Sequence, residues 1–236
     1  MTGLSRRELI GAAVAAGAVG SAPAMAAIAG EEALPALFQR RVSEAGLPGA
    51  AAVLIRPGEA PLFLSAGHAS LPFQVPVSPA TLFHTGSVGK HVTAVAVLRL
   101  VDAGRMDLGA PIGRYSTIVP KAWREVPLGT LLAHTSGIPD YGGAIAWDRP
   151  FTRAEFVADA ADRPLDFAPG AAWNYCNAAF TLAGYLLEDV TGESYRVLIA
   201  DLFARAGLRD SRVDDGEAVI PGRAEPYEKR AGAWVH

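Results

Sequence analysis

The sequence predicts a protein of the α/β class in its segregated, α+β form, and three observations carry that expectation. Two short apolar runs, residues 50–55 and 61–65, flank a Pro57-Gly58 turn, which is the pattern of an antiparallel hairpin. A strongly apolar stretch over residues 88–103 follows, and after it come four more segments with helical spacing or caps. With 236 residues, 50% of them hydrophobic, the chain is long enough to bury one large core or two small ones.

Taken in order, residues 31–45 carry Leu34, Leu37, Phe38 and Val42 at helical spacing, ended by Leu47-Pro48-Gly49. The hairpin comes next. Residues 71–80 hold Pro72, Pro76 and Pro79 and read as loop. A two-stranded hairpin is not stable by itself, so the sheet needs a further partner. The 88–103 segment, with Val92, Val95, Val97, Leu98 and Val101, reads as a buried central helix stopped by Gly104. Residues 108–119 are irregular, and residues 128–134 form a short helix that stops at Thr135-Ser136-Gly137. Thr152 and Glu155 make a capping box for a helix over 153–161. A helix over 177–190 ends at Thr191-Gly192, and Ser194 caps a last one over 195–206. From residue 207 onward no regular pattern is visible.

Residues 1–26 read as an address rather than as fold. Arg6 and Arg7 precede a mildly apolar, Ala/Gly-rich run, and Ala22-Pro23-Ala24 and Ala24-Met25-Ala26 both offer a small-x-small cleavage site. This is the layout of a bacterial export signal of the twin-arginine type. It predicts an exported, periplasmic or secreted protein and the twin-arginine machinery as a partner. The run is too short and glycine-rich for a membrane span. A net charge of −3 gives no sign of a nucleic-acid partner. Cys176 is the only cysteine, so an intramolecular disulfide is excluded and packing must hold the fold.

The chemistry begins at Ser87-Val88-Gly89-Lys90. On a helix, positions i and i+3 share a face, so the hydroxyl and the amine can come within hydrogen-bond reach. Serine needs a neighbour to take its proton. Lysine can be that neighbour once burial and nearby positive charge favour its neutral form. With 11 serines and three lysines, such a pair can also arise by chance, so its surroundings must decide.

Three segments supply those surroundings. They are Phe83-His84-Thr85-Gly86-Ser87-Val88-Gly89-Lys90-His91-Val92-Thr93-Ala94, Leu131-Leu132-Ala133-His134-Thr135-Ser136-Gly137-Ile138-Pro139-Asp140-Tyr141, and Pro169-Gly170, Trp173 and Tyr175-Cys176-Asn177. In this order they resemble the serine β-lactamase-like family, above all the branch of class C β-lactamases, D-Ala-D-Ala carboxypeptidases and related esterases. The resemblance implies a β-lactamase/transpeptidase-like fold, an antiparallel sheet flanked by helices plus a helical lobe. It implies an acyl-transfer site in which Ser87 attacks a carbonyl and Lys90 and Tyr175 share the proton traffic. Asn177 would contact the substrate and orient Lys90. The Ser87 N–H would be one oxyanion donor, and no cofactor is implied.

Each residue also has a plain reading, Tyr175 as a core aromatic and Asn177 as a helix cap. Ser136 is expected to satisfy loop backbone, and Cys176 to be a small buried residue rather than a reactive thiol. His84 and His91 flank Ser87 without a carboxylate cluster, so no metal site is expected. The family's third motif, a Lys/His-x-Gly triplet on an edge strand, has no match in residues 209–236. Residues 27–236 are therefore expected to be the N-terminal part of a family domain, truncated at the C-terminus. The function expected is a serine hydrolase acting on a β-lactam, a D-Ala-D-Ala peptide of the peptidoglycan type or a carboxylic ester. The alternative is a truncated or inactive relative serving as a binding module or without function.

Overall fold

The computed structural model describes residues 34–142, 145, 150–214 and 216–235. The export signal expected over residues 1–26 lies outside them. The described chain forms two compact units, residues 34–84 with 220–235, and residues 85–219.

In the first unit, α1 (Leu34–Glu44) leads into β1 (Gly49–Leu54) and β2 (Leu62–Ser70), paired antiparallel from Gly49 opposite Gly67 to Leu54 opposite Leu62. The hairpin is there as expected, with β2 running five residues beyond Ser65. Residues 71–80 are not all loop. Their Val75–Pro76 segment is β3, the third strand, in the order β1-β2-β3. Proline is tolerated there because β3 is an edge and one face of its backbone needs no partner. Tyr227 Oη accepts from the Leu71 N–H at 2.7 Å and also bonds Glu225, to which Ser70 Oγ donates at 2.9 Å. These bonds tie the later segment to the end of β2. That segment ends in a hairpin, β4 (Glu228–Arg230) against β5 (Ala233–Val235), which corrects the expectation of no regular structure after residue 207. Its turn puts Ala231 and Gly232 at φ +48° and +85°. Both positive angles suit the twist of a tight hairpin, but alanine stands where asparagine or aspartate would have signalled it.

The second unit is helical. α2 (Gly89–Asp102), α3 (Leu128–Leu132), α4 (Arg153–Ala160), α5 (Asn177–Thr191) and α6 (Tyr195–Arg205) follow the expected order. The caps read from sequence are made. Thr152 and Glu155 form both bonds of the capping box, Ser194 accepts from the Val197 N–H, and Gly192 ends α5 in the left-handed region. The central helix, however, is α5 and not α2. α5 buries Ala178, Ala179, Leu182, Ala183, Gly184, Leu186 and Leu187. α2 buries only Thr93, Ala96 and Val97, and its Val95 (45%) and Leu98 (39%) are exposed. Apolar residues occur all around α2, yet it packs along one side, against α5 and α6. No helix among the described residues is long and apolar enough to cross a membrane.

A backbone rail positions the head of α5. The Gly137 carbonyl accepts from Asp166 at 2.7 Å, that of Thr135 from Gly170 at 2.8 Å, and that of His134 from Asn174 at 2.9 Å. The segment before α5 is thereby docked along residues 134–137. Gly137 has φ +73°, and a Cβ there would overlap the Phe167 carbonyl. Gly137→Ala should therefore cost more than about 1 kcal/mol of stability through strain and clash together. A denaturant melt reads this, and an unchanged midpoint would show that the rail can part at little cost.

Candidate active site

Ser87 stands on a 3-10 turn, Gly86–Val88, that runs directly into α2. Three residues per turn make positions i and i+3 eclipse, and Lys90 Nζ donates to Ser87 Oγ at 3.2 Å. From the far side, Tyr175 Oη lies within hydrogen-bond distance of Ser87 Oγ at 2.5 Å, and either hydroxyl can be the donor. Lys90 Nζ also donates to Asn177 Oδ1 at 2.7 Å and lies 4.7 Å from the centroid of the Tyr175 ring. The four residues singled out from sequence thus meet at one point. Ser87 and Tyr175 are exposed, whereas Lys90 is only half-buried, less than the expected central helix would have made it.

Two residues that sequence reasoning did not single out hold this cluster in place. Asp140 Oδ1 accepts from the Asn177 and Ala178 N–H groups, both at 2.9 Å, and Oδ2 accepts from Asn177 Nδ2 at 3.0 Å. The open N-terminus of α5 is thereby satisfied by a carboxylate, the charge its dipole favours. The same bonds fix the Asn177 amide. A carboxylate only accepts and an ammonium only donates, so Nδ2 must face Asp140 and Oδ1 must face Lys90. Asn177 is oriented chiefly to hold Lys90, with one Nδ2 hydrogen left for a ligand.

His134 is the second. Its backbone is left-handed, φ +58°, which is uncommon for a residue with a side chain. Its ring lies 4.5 Å from that of Tyr175 and 5.1 Å from that of Phe180, and its Nδ1 accepts from the Cys176 N–H at 3.1 Å. Burial first, and then the Lys90 charge, lower its pKa. The neutral ring keeps Nδ1 as an acceptor, and protonation would turn it into a donor facing a donor. The neighbouring Ser136 plays the structural part expected of it, its Oγ accepting from the Ile138 N–H at 3.2 Å. Cys176 is 1% exposed, its Sγ accepts from the Ala179 N–H, and burial pushes its thiol up to about 11.

Tyr175 is the tuned group. Hydrogen bonding to Lys90, then to Ser87, holds its phenol below the ordinary value of 10.0. A phenol that gives up its proton early, 2.5 Å from a serine hydroxyl, has the reach of a general base.

Residues 34–235 match the profile of the Beta-lactamase family. The chain belongs to this family. Among relatives, the esterase EstB of Burkholderia gladioli is 33% identical over 227 residues, covering 86% of this chain and 58% of that protein. The fold of the family, helices with an antiparallel sheet, is shared with the D-amino acid amidase of Ochrobactrum anthropi SV3, solved with D-phenylalanine. That match has a TM-score of 0.74 at 28% identity over 84% of this chain and 56% of the amidase. A penicillin-binding protein from Bacillus halodurans gives 0.76 at 26% identity, over 86% and 63%. The chain spans about three-fifths of the length of these relatives.

Two substitutions probe this geometry. Asp140→Ala removes the acceptor of three hydrogen bonds and should lower the unfolding free energy by about 2–3 kcal/mol. Asp140→Asn, which keeps one acceptor but sets amide against amide, should fall between. Denaturant melts of the three proteins decide it. For His134, a folded-state pKa below 6.5 means that the unfolded chain binds the proton more tightly. Its contribution to stability is complete above pH 6.5 and declines as pH falls through that value towards the folded pKa. A melting temperature followed from pH 8 to pH 5 should drop in that window, and His134→Gln should flatten the drop.

Proposed function

We propose that the chain carries the nucleophile half of an exported serine hydrolase that works through an acyl-enzyme. The observation that supports this reading is the single contact network joining Ser87 to Tyr175 at 2.5 Å and to Lys90 at 3.2 Å, with Lys90 anchored on Asn177 at 2.7 Å. In the reaction, the Ser87 proton passes to the Tyr175–Lys90 pair while Oγ bonds to the substrate carbonyl carbon. The carbonyl electrons move to oxygen, where the Ser87 N–H at the turn opening is one donor. The tetrahedral carbon then expels its leaving group, which takes the proton back from Tyr175. Water repeats the cycle on the acyl-enzyme, releasing the acid and restoring Ser87.

The substrate class we favour is a carboxylic ester, because the match to an esterase at 33% identity extends over 86% of the chain. A β-lactam or a D-amino acid amide, the compounds to which the names of the penicillin-binding protein and the amidase refer, would pass through the same steps, as would a D-Ala-D-Ala peptide. Residues 1–26 serve in this reading as the twin-arginine export signal, testable by whether fusing them carries a folded reporter out of the cytoplasm. The rival reading is an inactive relative, in which Ser87→Ala changes nothing measurable.

A fluorophosphonate or fluorescent penicillin should label the protein once, and peptide mass mapping should place the label on Ser87. Ser87→Ala should abolish labelling and reduce p-nitrophenyl acetate hydrolysis about 1,000-fold or more. Tyr175→Phe should reduce it about 100-fold or more. Because Lys90 and Ser87 lower the Tyr175 pKa, kcat/KM should rise with pH and level off below pH 10. A folded protein that takes no label at Ser87 sinks the reading. Hydrolysis of the ester with a chromogenic cephalosporin left intact would single out the ester class.

A further inference from the structure

Asp140 governs the head of α5 through its side chain, and its main chain has a fixing point of its own. Arg163 Nη1 donates to the Asp140 carbonyl and, at 3.4 Å, to Asp159 Oδ2. Asp159 Oδ2 also accepts from the Gly142 N–H at 2.9 Å. The main chain of residues 140–142 is thus held twice, a carbonyl by a guanidinium and an N–H by a carboxylate. The approach is close. A Cβ on Gly142 would stand 2.6 Å from Asp159 Oδ1, so it is glycine that lets the chain lie against that carboxylate.

The pair has a firm base. Asp159 lies in the last turn of α4 with its side chain 7% exposed, and Phe156 and Ala160 bury the same helix in the core. Arg163 follows three residues after the helix end. Its N–H donates to the Ala160 carbonyl at 3.2 Å, and its carbonyl accepts from Nε1 of the buried Trp123 at 2.8 Å. Taken only as an i, i+4 ion pair with a partly exposed arginine, the contact would contribute little to stability. Its significance is that both members bond the same three residues of main chain.

Two rotatable bonds separate that main chain from the Asp140 carboxylate, whose oxygens receive the Asn177 and Ala178 N–H groups and Asn177 Nδ2. A shift at residue 140 is therefore passed to the Asn177 amide and on to Lys90. We propose that Arg163, backed by Asp159, is a positioning residue for the acyl-transfer reaction: it sets the place from which Asp140 orients Asn177 and so holds Lys90 against Ser87 and Tyr175. Its part in turnover rests on the acyl-enzyme reading, but the placement can be read on Tyr175 without turnover. Tyr175 faces Ser87 and Lys90 from the start of α2, and His134 and Asp140 from residues 134–140. Hydrogen bonding to Lys90 is the largest influence lowering its pKa, while the Asp140 charge raises it. A loosened Lys90 lets the phenol keep its proton to higher pH.

The test uses the full chain and three substitutions. Arg163→Met keeps the length of the stem and removes the donors, and Arg163→Lys restores a donor. Arg153→Met breaks the ion pairs of α4 with Glu188 and Asp189 at the other end of α5 and is the control for a purely structural loss. Each is made with and without Tyr175→Phe, so that the difference in tyrosinate absorbance isolates Tyr175 among the six tyrosines. In Arg163→Met the Tyr175 titration should move up towards 10.0. The rate at which a fluorophosphonate labels Ser87 should fall about tenfold or more. Arg163→Lys should recover part of both, and Arg153→Met should move neither, whatever it does to the melting temperature. Asp159→Asn, which keeps an acceptor for Gly142 and loses the charge facing Arg163, is the second variant should Arg163→Met fail to fold; it should shift both readings the same way by less. A folded Arg163→Met or Asp159→Asn protein in which Tyr175 titrates as in the wild type overturns the proposal, and so does an equal shift in Arg153→Met. A Tyr175 titration that moves as expected in a protein whose Ser87 takes no label would keep the positioning role of Arg163 and remove the catalytic reading instead.

Discussion

The carboxylate of Asp140 is the constraint from which the site hangs. It meets the exposed N–H groups that begin α5, and any helix start buried without such a partner is costly. By using both oxygens, it also decides which way the Asn177 amide faces. From there the order passes outward through charge rather than through packing: Asn177 presents oxygen to Lys90, and Lys90 reaches Ser87 and Tyr175. A single acidic residue thereby fixes the sense of the Asn177 amide and, through it, the anchor of Lys90. His134 completes the frame from the other side by stacking on Tyr175 and accepting from the next peptide N–H.

The arrangement is cheap in moving parts. Ser87 and Lys90 are neighbours on one turn, so their mutual distance is set by helix geometry alone. Tyr175 and Asn177 are likewise two residues apart at the head of α5. The two helix openings are joined by the Ser87–Tyr175 and Lys90–Asn177 bonds, and the 134–137 rail and Asp140 hold the head of α5 on its side of that relation. The exposed position of Ser87 and Tyr175 suits groups that must meet a substrate.

How much of the molecule is legible in the chain depends on the range of the forces involved. Local signals were legible: the capping box at Thr152 and Glu155, the Gly192 stop, the Ser194 cap and the i, i+3 relation of Ser87 and Lys90 all act within one turn. Tyr175 and Asn177 were reachable only through family resemblance, because no short-range rule links them to Ser87, 88 residues away in the case of Tyr175. Asp140 escaped because its role is to cap a helix that starts 37 residues later. Apolar periodicity misjudged α2, since hydrophobic residues on several faces do not state which face finds a partner. The β3 strand was hidden by Pro76, which is acceptable at an edge, and the final hairpin by an alanine in a positive-φ turn.

Cys176 sits between the two residues that complete the cluster, with its sulfur turned inward onto the first turn of α5. As the only thiol of the chain, it gives the site a built-in clock. Its sulfur becomes reachable only when the head of α5 comes away from its packing, so the rate at which a thiol reagent consumes it measures how often the site opens. That frequency can be followed with no substrate and no turnover. It separates a centre that is assembled and idle from one that is not assembled at all.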